Sequence, residues 1–117
     1  IGQDDHEFGD VSPINHNPAA VGNIFSIEPG IYIEGSHGVR LENELLVCEG
    51  EKNEYGEFLY FEPITYVPFD LDAINPDIMN AEDKERLNTY HATVYEKVSP
   101  YLNDEEKEWL KKYTRAI

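Results

Sequence analysis

Three residues in the stretch 23–48 have types and spacing suited to chemistry: Glu28, Arg40 and Glu42. They lie in two apolar, β-branched runs on either side of a polar tip, Glu34-Gly35-Ser36-His37-Gly38. That pattern predicts a β-hairpin over residues 23–48. Side chains alternate along a strand, so Ser26 and Glu28 share one face while Phe25 and Ile27 take the other. On the return strand Arg40, Glu42 and Glu44 share a face. Folding about Gly35–Ser36 pairs positions whose numbers sum to about 70–72, which sets Glu28 opposite, or nearly opposite, Glu42. Pro29-Gly30 allows a bend or bulge, so this register is expected to hold to about one residue.

Directly opposed residues have Cβ atoms roughly 5 Å apart, and like charges there destabilise. At an effective dielectric of about 20 the repulsion is on the order of 3 kcal/mol. A shared proton, a basic side chain or a metal cation would offset it. Arg40, two residues before Glu42 on the same face, is the basic candidate, and a bound cation is the other. The plain alternative is an exposed pair on a solvated strand face.

The elements that must hold these residues fit in a chain of 117 residues, enough for one modest domain with a core. Nine basic against 24 acidic residues give a net charge of −15, which argues against nucleic-acid binding and against docking on anionic membranes. Such acidity favours cationic partners or divalent metals, and commonly serves solubility. The single cysteine, Cys48, excludes an internal disulfide and fits a cytosolic origin. It follows Leu45, Leu46 and Val47 and is expected to be a buried structural thiol. No apolar run approaches the roughly 20 residues of a membrane span, and nothing resembles a signal peptide. The first residue is Ile, so the chain reads as part of a longer protein.

Residues 1–22 are rich in Gly, Pro and Asn and should be mainly loop. His6-Glu7 invites a zinc-peptidase reading, but that motif needs a second His at position 10, which is Asp10. Taken from the residues alone, His6 is a surface histidine in an acidic loop. After a charged turn over 49–56, the aromatic and β-branched run 57–64 predicts a third strand, with Pro63 at its edge or end. Residues 69–79 hint at a calcium loop but carry Ile74 and Asn75 where a ligand and the sharp-turn Gly belong, so they read as a linker. Asn80 and Asn103 are N-caps of two predicted helices, the second with Glu106 in a capping-box position and Pro100 between the two. Leu87, Tyr90, Val94, Val98 and Tyr101 form the apolar stripe of the first, and Trp109, Leu110 and Tyr113 that of the second. His91 lies beside the stripe and is read as a packing residue.

The segments Ile-Glu-Pro-Gly-Ile-Tyr (27–32) and Gly-Val-Arg-Leu-Glu-Asn (38–43) resemble the signature of the pita-bread (M24) metallopeptidases. Their short spacing, together with the tail Phe-Glu-Pro-Ile-Thr-Tyr-Val-Pro, Asn-Thr-Tyr-His and Trp-Leu-Lys-Lys-Tyr, resembles the long-form Xaa-Pro aminopeptidases more than other branches. The resemblance implies an α+β fold, the second half of a pita-bread domain: a curved antiparallel sheet with C-terminal helices. It implies residues 1–68 as the C-terminal half of the catalytic domain (loop, hairpin 23–48, strand 57–64), 69–79 as linker and 80–117 as a helical extension.

By the same resemblance the activity is release of an N-terminal residue preceding proline, with two divalent metal ions, most often Mn2+, activating water. Glu28 would be a terminal metal ligand and proton acceptor, Glu42 a bridging ligand, and Arg40 the residue orienting both carboxylates. His6 would be the non-ligand histidine that binds substrate, although Asp5 replaces the usual apolar residue before it and no Pro follows Glu7. The family's two Asp ligands and its His ligand have no match in these residues, the His falling just upstream of Ile1. The chain alone is therefore expected to be inactive and to bind metal weakly. Expected partners are a proline-containing peptide substrate, the rest of the catalytic domain and a second copy in a homodimer, in the cytoplasm, with no nucleic acid and no membrane. Two alternatives remain open. One is a non-catalytic pita-bread module that binds basic peptides such as histones, against which Glu28, Arg40 and Glu42 all argue. The other is prolidase, acting on Xaa-Pro dipeptides.

Overall fold

In a computed structural model the chain forms two compact units, 1–65 and 66–117, and the described residues are 2–3 (as backbone) and 18–117. His6 lies outside the described residues.

Among the described residues the strands of the first unit are all paired antiparallel. Its strands are β1 (Gly2–Gln3), β2 (Ile24–Ile27), β3 (Gly30–Ile33), β4 (His37–Arg40), β5 (Asn43–Asn53) and β6 (Gly56–Pro63). They make a four-stranded sheet in the order β1-β2-β5-β6 and a two-stranded ladder β3-β4. Within the stretch 1–22, expected to be mainly loop, residues 2–3 form a short strand, which pairs Gly2 with Ser26. The predicted hairpin 23–48 is divided between two ladders, β2 with β5 and β3 with β4. Pro29 has no N–H to continue a ladder, and the break falls there.

The register nevertheless runs through the break. Ile24 pairs with Leu46 and Ile27 with Asn43 on one side of it, and Gly30 pairs with Arg40 and Ile33 with His37 on the other. All four pairs sum to 70, inside the expected range. The same count sets Glu28 opposite Glu42, in the gap where neither ladder is formed.

Strand β5 is longer than the sequence suggests. Residues 49–53, read as turn, remain paired to β6, with Lys52 opposite Glu57 and Asn53 opposite Gly56. An irregularity between Glu49 and Lys52 absorbs the mismatch. Gly50 sits in it, and a Cβ there would lie 2.8 Å from the Phe58 carbonyl oxygen, so only glycine fits without backbone movement. The tight turn closes with the Asn53 side-chain oxygen accepting from the Tyr55 N–H at 2.9 Å.

Phe25 and Val47 form the small core of this unit, with Phe25 meeting Phe61 edge-to-face at 5.7 Å. Beside Phe25, Ser26 is also buried. Cys48 is half-buried, more open than expected for a structural thiol.

The second unit is helical. Two single 3-10 turns, Leu71–Ala73 and Pro76–Ile78, occupy the stretch expected as linker, and Leu71 is buried. Helix α1 (Ala81–Val98) starts at Asn80, whose side chain accepts from the Asp83 N–H. Helix α2 (Asp104–Tyr113) starts at Asn103 in a complete capping box with Glu106. Both caps fall where the sequence placed them. Leu71, Val94, Leu110 and His91 are the buried residues of this unit. Asn88 holds the last residue by two hydrogen bonds, accepting from the Ile117 N–H and donating to its carbonyl oxygen.

His91 is fully buried and packs against Phe69 and Tyr90. Its Nε2 accepts a 3.0 Å hydrogen bond from the Phe69 N–H, so the proton of the neutral ring lies on Nδ1, which has no partner among the described residues. Burial lowers its pKa below the ordinary 6.5. Because the folded pKa is the lower one, His91 contributes stability that is complete above pH 6.5 and is lost as pH falls through the folded value. We therefore expect thermal stability of the chain to fall as pH drops below about 6.5, by at most about 1.4 kcal/mol per pH unit from this group. In His91→Gln, an acceptor that does not titrate, this part of the pH dependence should vanish. Equal pH slopes for the two proteins would show that His91 is not responsible.

Candidate metal centre

The site lies at the break between the two ladders. Alternation places Ser26 and Glu28 on one face of β2 and its extension, and the continuous register brings Glu42 across from Glu28. Leu41 donates its N–H to the Pro29 carbonyl at 3.2 Å, which keeps the strands together where regular pairing lapses.

Arg40 spans the two acids. Its Nε lies 3.6 Å from Glu28 Oε2, and a terminal nitrogen lies 3.7 Å from Glu42 Oε2. A cation thus stands between the two carboxylates, as the repulsion between them requires. The other Glu28 oxygen, Oε1, accepts from the Ser26 hydroxyl at 3.0 Å. Glu28 is therefore held at both oxygens, from a buried strand on one side and from the arginine on the other.

Tyr32 completes the arrangement. It pairs with Gly38 across β3-β4, and its ring lies along the ladder over two glycines. A Cβ at Gly38 would be 2.6 Å from the ring, and one at Gly30 would be 2.6 Å from the phenol oxygen. Gly30 and Gly38 thus open the floor that lets the phenol reach Arg40. Hydrogen bonding and electrostatic interaction with Tyr32, and then the two carboxylates, raise the guanidinium pKa above its ordinary value, so Arg40 stays charged at every relevant pH.

Three of the four residues expected from the sequence, Glu28, Arg40 and Glu42, are therefore brought together, and the fourth, His6, lies outside the described residues. Two contributors were given no role. Ser26 shares the face of Glu28 by simple alternation. Tyr32 is signalled only by the glycines at 30 and 38, one near it on the same strand and one across from it.

Carboxylate oxygens suit hard divalent cations, and Glu28 and Glu42 already converge on one positive charge. The donor set fits a divalent metal as part of a site. Among the described residues no group of three or more His, Cys, Asp or Glu is placed to hold an ion, whereas hard metals want roughly six ligands.

The chain is similar to known proteins over most of its length. Residues 1–49 match the model of metallopeptidase family M24, and residues 57–117 match the C-terminal region of peptidase M24. The chain belongs to the M24 metallopeptidase family, and its fold is the second half of a pita-bread domain with C-terminal helices, as the motifs implied. Human Xaa-Pro aminopeptidase 2 is 38% identical over 107 residues, covering 88% of this chain and 16% of the relative. Aminopeptidase P1 of Arabidopsis thaliana is 40% identical over 93 residues, covering 77% and 14%. X-prolyl aminopeptidase from Caenorhabditis elegans, described as a cytosolic enzyme with a dinuclear active site, superposes with a TM-score of 0.70 at 28% identity, over 89% of this chain and 18% of that one. The chain thus spans less than one fifth of the length of these relatives.

Arg40→Met removes the positive charge and leaves two facing carboxylates. All three side chains are partly exposed, so we expect only a small loss of stability at low ionic strength, read as a lower midpoint of urea unfolding. In about 1 M NaCl, where charges are screened within a few ångströms, most of that midpoint shift should disappear. A shift unchanged by salt would mean that Arg40 acts by packing rather than by charge.

Proposed function

We propose that this chain is the carboxyl-terminal, metal-binding part of a Xaa-Pro aminopeptidase, which releases the N-terminal residue of a peptide whose second residue is proline. The observation that carries the reading is the convergence of Glu28 and Glu42 on Arg40 across the ladder break. The M24 matches and the names of the relatives support it.

In this reading Glu28 and Glu42 would be the residues of this chain that hold two divalent cations, with the remaining ligands on other parts of the protein. Manganese is the metal we assign, on the family resemblance. Bound there, the cations supply Lewis acidity and a lowered water pKa. The chain's own residues do the rest. Arg40 and Ser26 fix the Glu28 carboxylate, so that its proton-accepting oxygen, Oε2, is already oriented toward the site. Arg40 also directs Glu42 at the same point. His6 binds substrate near the scissile bond. The further partners are the rest of the catalytic domain and a second copy in a homodimer. The place is the cytoplasm, in line with the cytosolic C. elegans enzyme; no helix among the described residues is long and apolar enough to cross a membrane.

The test is Mn2+-dependent release of the first residue from an Xaa-Pro-Xaa tripeptide. It compares the 117-residue chain with a protein extended upstream to the relatives' length, and with Glu42→Ala in the extended form. We expect activity in the extended protein only, reduced to background by Glu42→Ala. Robust cleavage by the 117-residue chain would overturn the claim that the chain is incomplete. No cleavage by the extended protein would overturn the peptidase reading and favour a peptide-binding module. Cleavage of Xaa-Pro dipeptides but not tripeptides would make it a prolidase.

A further inference from the structure

We propose that Ser26 is a positioning residue of the metal centre, whose hydroxyl fixes the Glu28 carboxylate in the orientation that receives a cation. The inference rests on the metal-binding reading above and adds to it a residue that no motif singles out.

Two polar side chains are buried among the described residues, His91 and Ser26, and only Ser26 belongs to the β unit. Ser26 is 3% exposed, and it lies on β2 between β1 and β5, paired with Gly2 on one side and Glu44 on the other. Its backbone is therefore fixed by strands on both edges. A hydroxyl buried at such a place needs an acceptor, and it donates to Glu28 Oε1 at 3.0 Å. Glu28 stands just past the end of β2, where alternation sets the face of its side chain but not its rotamer. A free glutamate there would sample several rotamers, and ordering it on cation binding would weaken affinity. Ser26 removes that freedom from one oxygen and leaves Oε2 on the side of Arg40 and Glu42. The bond is between residues two apart on one strand face, so it forms with the strand and does not depend on a loop.

A near-isosteric pair of variants isolates the hydroxyl. Ser26→Thr keeps it and Ser26→Val replaces it with a methyl group, and both introduce β-branched residues that suit a strand. Mn2+ is titrated into the 117-residue chain and into its Ser26→Thr and Ser26→Val variants, and site occupancy is read from paramagnetic broadening of the Glu28 and Glu42 amide signals. Thermal unfolding of each protein is measured alongside. We expect Ser26→Thr to broaden at Mn2+ concentrations within about twofold of the unsubstituted chain, and Ser26→Val to need about tenfold more Mn2+, as for other residues that support a metal ligand from behind. The unfolding temperature of Ser26→Val should match that of Ser26→Thr. A merely structural hydroxyl would change the unfolding temperature and leave the Mn2+ dependence alone. Equal Mn2+ dependence for the Thr and Val variants overturns the inference and leaves the metal reading standing. Where the 117-residue chain shows no selective broadening at Glu28 and Glu42, the same titrations are made on the protein extended to the relatives' length; absence of broadening there too overturns the metal reading, and this inference with it.

Discussion

The β unit is built around a repulsion that must be neutralised. One register, carried through two ladders, places Glu28 opposite Glu42 at the point where Pro29 interrupts the pairing. Two carboxylates at facing positions repel and weaken the pairing between the strands. Arg40 is directed between them, and Tyr32 lies over Gly30 and Gly38 to meet Arg40 from the ladder side. Each part of this assembly follows from the strand alternation and the register, and none requires a long loop. Ladders on both sides of the break fix the backbone on which Glu28 and Glu42 stand.

The apolar surface of the same unit has a complementary meaning. Ile31, Tyr32, Ile33 and Val39 on the β3-β4 ladder, and Phe58, Leu59, Tyr60 and Phe61 on β6, are all substantially exposed, while Phe25 and Val47 alone form its apolar core among the described residues. Exposed apolar area of this extent is uncommon on a self-contained monomeric domain. It accords with a chain spanning less than one fifth of the length of its relatives. The helical unit is more self-sufficient in its local chemistry. Its helices are capped by Asn80 and Asn103, Asn88 binds the final residue, and His91 ties the segment at Phe69 to α1.

Much of this was legible in the sequence, because it depends on alternation and on local chemistry. Period-two alternation put Glu28 with Ser26 and Glu42 with Arg40, and the polar tip at Gly35–Ser36 set the register to within one residue. The Asn caps announce their helices because an Asn side chain satisfies free N–H groups wherever a helix starts. What stayed hidden depends on contacts between strands. The division of the hairpin into two ladders follows from Pro29, but which residues regain pairing beyond it does not. The extension of β5 through the charged, glycine-containing stretch 49–53 depends on its pairing to β6, with the irregularity at Gly50 hidden in composition. Tyr32 reaches Arg40 only because glycines on two different strands leave room for its ring. Ser26 stood on the right face, yet its burial depends on neighbouring strands that composition does not reveal.

The central claim is that Glu28 and Glu42 form part of a divalent-metal site, with Arg40 holding them ready. Anomalous diffraction at the manganese edge, from crystals of the protein extended to the relatives' length and grown with Mn2+, tests it most directly. The account predicts anomalous peaks within about 2.0–2.4 Å of a Glu28 and a Glu42 carboxylate oxygen, with Glu42 touching two ions. Manganese bound elsewhere, with Arg40 still the only cation between the two carboxylates, would contradict it.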